Sequence, residues 1–112
     1  ASGIYLANTV FPKIFNDPNV ILKKSKKILS ERVGSVIFRG DIEIGFQQYS
    51  ELLPIKGIKI IGMLPKEIRK SFIFGSAMSN NSTAGPIYRN LIEFIKHDDG
   101  QKFIENSGLK IL

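Results

Sequence analysis

The 112-residue sequence predicts an α/β domain, a mixed sheet flanked by helices, and three observations predict it. Apolar residues recur at helical spacing near both ends, as Ile4, Ala7, Phe11 and Phe15 and again as Ile87, Leu91, Phe94 and Ile95. Ile42, Ile44 and Phe46 alternate with Glu43 and Gly45, the period of a half-buried strand. The two patterns interleave along the chain with turn chemistry between them, the order expected of layered α/β folds.

The first helix is expected from Ser2 to about Phe15, with Ser2 as its N-cap and Pro12 as a kink or an early stop. Asn16-Asp17-Pro18-Asn19 is turn chemistry, and Val20, Ile21 and Leu22 then read as a short buried strand. Lys23 to Lys27 form a basic connector. Ser30 can cap a second helix running to about Arg39, with Val33, Val36 and Ile37 inward and Gly40 at its left-handed end. The strand Ile42–Phe46 is expected to be central, with Gly45 admitting a close neighbour. A short helix at Ser50–Leu53 should stop at Pro54. Ile58, Ile60 and Ile61 make the next strand, and Ser71–Met78 another extended segment. The loop Asn80–Pro86 leads to a long helix from about Pro86 with an apolar stripe. Asp98 or Asp99 caps a last helix holding Phe103 and Ile104, closed by Gly108.

Composition is that of an ordinary globular domain, 43% hydrophobic and 23% charged, with a net charge of +6. No stretch approaches the ~18 apolar residues of a membrane span. Ala1–Ala7 lacks the charged and apolar segments of a signal peptide, and the opening Ala-Ser-Gly reads as the start of a piece of a longer protein. The absence of cysteine removes disulfides, thiolate catalysis and cysteine-ligated zinc from the possible chemistry. The positive charge permits nucleic acid, acidic lipid or an anionic solute as partner without choosing among them.

No catalytic, metal-binding or cofactor-binding constellation stands out, so the chain reads as a non-enzyme. His97, the single histidine, sits near a helix C-terminus, where a positive imidazole suits the helix dipole. Asp98-Asp99 reads as a cap rather than a dyad. The lysine run could contact phosphates, but no aromatic platform accompanies it, and a solvated connector is the plainer reading. Phe38, Phe46, Phe72, Phe74, Phe94 and Phe103 are expected in the core. The informative polar residues lie at element ends: Ser2-Gly3 and Ser30 at helix starts, Gln47-Gln48-Tyr49-Ser50 just after a strand. In open α/β sheets ligands gather beyond the carboxyl ends of strands, where helix starts also point. Plain capping and a solvated loop are the competing readings of the serines and the glutamines.

Ser2-Gly3-Ile4-Tyr5-Leu6-Ala7, Arg39-Gly40-Asp41-Ile42-Glu43-Ile44-Gly45-Phe46-Gln47-Gln48, Tyr49–Ile58 with Gly62-Met63-Leu64-Pro65, and the closing Leu91–Phe94, Gly100–Ile104 and Ser107-Gly108-Leu109 together resemble the second lobe of molybdate-type periplasmic binding proteins and their relatives. The resemblance implies one lobe of a type II periplasmic-binding fold spanning residues 1–112, a small solute such as an oxyanion held between two lobes, and docking on the membrane permease of an ABC transporter. It implies Ser2, Gly3, Ser30, Gln47, Gln48 and Tyr49 as ligand-binding residues, no cofactor and no metal. Gln48 stands about where molybdate binders place a tyrosine, which argues against molybdate itself. A periplasmic or extracellular location follows if the full product carries a signal peptide. With the first lobe missing, the helices after Pro86 should fold onto their own sheet or self-associate. A ligand-sensing effector domain of a regulator shares this fold, and a small basic nucleic-acid-binding protein is the remaining alternative, although no nucleic-acid partner is expected.

Overall fold

The computed structural model describes residues 2–111, and the chain divides into two compact units, Ala1–Lys70 and Ser71–Leu112. Among the described residues every regular element is helical and no strand forms. The mixed sheet expected from the alternating segments is therefore not present.

The first unit opens with α1 (Ser2–Tyr5), a π-helical turn (Leu6–Val10) and α2 (Phe11–Ile14). The junction residues Tyr5 (φ −62°, ψ −43°) and Phe11 (φ −61°, ψ −42°) are right-handed helical, so the three pieces run on from one another. Pro12 follows directly on the π-helical turn, as the second residue of α2. The helix passes through the proline because the wider turn lies just ahead of it. It ends at Phe15, whose backbone is extended (φ −108°, ψ 132°).

Val20–Leu22, expected as a buried strand, instead lies in α3 (Pro18–Lys23). Asp17 caps this helix by accepting from the Asn19 N–H at 3.0 Å, and Pro18 pre-sets its first turn. That local chemistry outweighs the strand preference of the β-branched Val20 and Ile21. Next comes α4 (Val33–Phe38), with Arg32 at the N-cap and Gly40 left-handed after it (φ 79°) as expected. Ser30 lies in a bend before the helix and does not cap it. After the non-helical segment containing Ile42, Ile44 and Phe46 comes α5 (Tyr49–Leu52).

The core of this unit is small. Leu6, Val10 and Phe11 are buried together, with Tyr5, Ile21, Leu64 and Ile68 packed against them. Tyr5 donates its hydroxyl to the Ile68 carbonyl at 2.8 Å, tying the first helix to residues far along the chain. Gly34 and Val36 are the buried residues of α4. A Cβ at Gly34 would press on Ile55 and Ile58, and one at Gly45 would overlap Val33 and Ile37. The glycine at 45 thus admits the close neighbour expected of it, although that neighbour is α4 and the segment is not a strand.

The second unit holds α6 (Gly85–Lys96) and α7 (Asp98–Asn106). His97 is at once the C-cap of α6 and the N-cap of α7, in extended conformation. Asp98 and Asp99 lie in the first turn of α7, where they complement the dipole, and do not cap it. The Phe94 and Phe103 rings meet at 6.2 Å between centroids. Gly100 is buried against the Phe94 backbone, so no side chain fits there.

The aromatic residues expected in the core are mostly open to solvent. Phe38, Phe46, Phe74, Phe94 and Phe103 are all exposed, as are Ile87 and Leu91 of the α6 stripe. The reason is the same as for the missing strands: an alternating or striped pattern specifies which face will be covered, and the cover must come from another element.

Candidate ligand-binding site

All six residues expected at the site lie in the first unit. Ser2 is the first described residue of α1 and is half-buried, while Gly3 is exposed with open space around it. Ser30 is exposed in its bend. Gln48 is the N-cap of α5, with extended backbone (φ −58°, ψ 139°), and Tyr49 begins that helix. Among the described residues no hydrogen bond joins Ser2 or Ser30 to the Gln47–Tyr49 segment.

Gln47 is the best-connected of the six. Its side-chain carbonyl accepts from the Gly34 N–H at 3.4 Å, at the start of α4. Its amide nitrogen donates to the Glu51 carboxylate on α5. One side chain therefore links the start of α4 to α5, and it places Gln48 and Tyr49 at the same end of α4 as Gly34. Both polar ends of Gln47 are engaged inside the protein, which makes it a brace more than an open ligand contact. In the sequence Glu51 is one of several carboxylates, with Asp41, Glu43, Asp98 and Asp99, that form no recognisable acid–base pair; its contact with Gln47, which lies just before the N-cap of α5, comes from the fold.

A second network holds the approach to α4. Arg39 forms a two-pronged pair with Glu31, 2.7 Å from one guanidinium nitrogen and 2.9 Å from the other. Its Nε donates to Asp41 at 3.1 Å. The hydrogen bonds from Arg39 hold the Glu31 carboxyl below its ordinary value, and the same two carboxylates raise the Arg39 guanidinium further. This clamp fixes Glu31, the residue after Ser30, against the far end of α4. The sequence signal was weak, because Glu31 and Arg39 are eight residues apart and only the fold of the bend brings them together.

Charge is distributed unevenly. Twelve of the sixteen Lys and Arg residues and six of the ten acidic residues fall in Ala1–Lys70, so that unit carries the whole net charge of +6. Lys23–Lys27 are exposed. An anion approaching the first unit meets an attractive field.

The profile of the family described as bacterial extracellular solute-binding protein matches residues 1–110. A relative from Pseudomonas sp, named aconitate isomerase, is 38% identical over 110 residues, covering 98% of this chain. The chain spans 42% of that relative's length. No solved structure matches the chain. The relative overturns the expectation of a non-enzyme, which rested on finding no recognisable catalytic constellation within these 112 residues. A family of extracellular proteins agrees with a periplasmic or extracellular place and with a small solute as ligand; the molybdate-like subtype has no support in the match. With its match running from the first residue almost to the last, the chain belongs to the bacterial extracellular solute-binding protein family.

Proposed function

We propose that this chain is the second lobe of a two-lobed solute-binding protein that takes up aconitate and interconverts its cis and trans forms. The observation that carries the reading is the 38% identity to a protein named aconitate isomerase over 98% of this chain. The ligand chemistry agrees with the charge. Aconitate has three carboxylates, ionised at neutral pH, and the unit holding the candidate residues carries the full positive excess.

The isomerisation is a proton shift. Removal of a proton from the CH₂ flanking the double bond leaves an allylic carbanion spread over the three-carbon unit and its carboxylates. Return of a proton at the former vinyl carbon moves the double bond and allows the other geometry. Atoms and electrons balance without an external oxidant or reductant. The step needs a base within hydrogen-bond reach and a site that stabilises the delocalised negative charge. Ser2, Gly3, Ser30, Gln48 and Tyr49 serve as neutral donors and shape in this reading, with Gln47 bracing the last two. Glu51 is the carboxylate hydrogen-bonded to that group through Gln47, and is the base this lobe can offer. The first lobe supplies the opposite wall, and closure of the two excludes water.

The test is turnover. The full-length protein, incubated with cis-aconitate, should produce trans-aconitate, followed by proton NMR in D₂O with deuterium entering the shifted position. Tight aconitate binding without turnover would reject the isomerase reading. It would favour delivery of the solute to an ABC permease, the second reading that the family description supports.

A further inference from the structure

We infer that Arg32 is the residue of this lobe that pairs with a carboxylate of the ligand, an inference that rests on the tricarboxylate reading above. A tri-anion held by neutral serines, glutamines and a tyrosine alone leaves its charge uncompensated on desolvation. A cation is therefore required at the site, and the first unit has several. Arg39, at the far end of α4, is already engaged by Glu31 and Asp41. The lysines at 23–27 stand before the bend.

Arg32 differs from both. It is the N-cap of α4, with extended backbone (φ −72°, ψ 134°), and its carbonyl accepts the Ser35 N–H at 3.0 Å, which fixes its main chain. It lies two residues after Ser30 and two before Gly34, the residue whose N–H meets Gln47. The same end of α4 thus brings together Arg32, Gln47 and the chain leading into Gln48 and Tyr49. Arg32 is exposed, and among the described residues the ion pairs are Arg39 with Glu31 and Asp41, and Lys102 with Asp99, so no carboxylate of the protein occupies it. Its planar fork matches a carboxylate with two parallel hydrogen bonds, which a lysine cannot reproduce.

The experiment measures binding of tricarballylate, the saturated tricarboxylate that cannot isomerise, to the full-length protein by calorimetry, together with aconitate turnover. Arg32→Met should weaken tricarballylate binding by about tenfold or more. It should raise KM for aconitate much more than it lowers kcat, and leave the melting temperature unchanged. Arg32→Lys should recover part of the loss. Lys56→Met, which removes one exposed positive charge elsewhere in the same unit, should change the affinity less than twofold. An Arg32→Met protein that binds as the wild type does, or a Lys56→Met protein that loses as much, overturns the assignment while leaving the isomerase reading intact. A wild-type protein that binds no tricarboxylate overturns both.

Discussion

A methyl group added at Gly45 would occupy space held by Val33 and Ile37 of α4. Gly45→Ala should therefore lower stability by ~1–3 kcal/mol, the usual cost of overpacking, read from the midpoint of urea unfolding. At the start of α4, the coupling of Gln47 to Glu51 predicts non-additive behaviour. Gln47→Ala and Glu51→Ala should each impair aconitate turnover, and the double variant should be little worse than Glu51→Ala alone. The Glu31 carboxyl gives a pH signature with a fixed sign. Its value in the folded protein lies below the ordinary 4.5, first through the Arg39 hydrogen bonds, so its stabilising contribution is complete above the unfolded value and fades as pH falls through the lowered one. Both partners are solvent-accessible, so the effect is small. The melting temperatures of the wild type and Glu31→Gln should differ at pH 7, and the difference should shrink as pH falls below the ordinary 4.5.

At the scale of elements, the helices were legible where local chemistry decides. Asn16–Asn19 was read as a turn, and Asp17 and Pro18 of that turn proved to launch α3; Gly40 and Gly108 close their helices with positive φ, as their positions suggested. Strands were not legible in the same way. Ile42, Ile44 and Phe46 have the right alternation, but a ladder needs a second strand, and nothing in a single segment says where that strand is. The site shows the same division. Gln47, Gln48 and Tyr49 were picked out by composition at an element end, yet the brace to Gly34 and Glu51 and the Arg39 clamp depend on how the chain turns back on itself. Gly100 was part of a family-like pattern in the sequence, and its packing role came only from the turn between α6 and α7. A Cβ there would collide with the Phe94 backbone, which cannot swing aside as a side chain can. Gly100→Ala should separate the two helices and reduce helicity near the C-terminus, measurable as a loss of far-ultraviolet circular dichroism and of amide protection in residues 85–106.

For the whole molecule, exposed apolar surface is the dominant fact. Ile87, Leu91, Phe94 and Phe103 remain open at 73%, 53%, 48% and 67%. The expected docking of these helices onto a sheet of their own does not occur, since no sheet forms among the described residues. Burial of each such side chain is worth ~1.5–3 kcal/mol, so the isolated 112-residue chain should self-associate. Light scattering after size exclusion should give a mass above that of one copy, falling toward the monomer when Leu91 and Phe94 are both replaced by Ser.

The boundary between the two units has a preparative consequence. No helix or strand interrupts the described chain from Leu53 to Ala84, and Arg69 and Lys70 stand exposed just before the division. A specific protease site introduced between Lys70 and Ser71 should be cut readily. The released pieces would be electrically unlike: the amino-terminal piece carries the entire positive excess, and the carboxyl-terminal one balances four basic against four acidic side chains. A cation-exchange column at neutral pH would retain the first and pass the second, and this difference in charge offers a direct way to ask whether either piece folds when separated from the other.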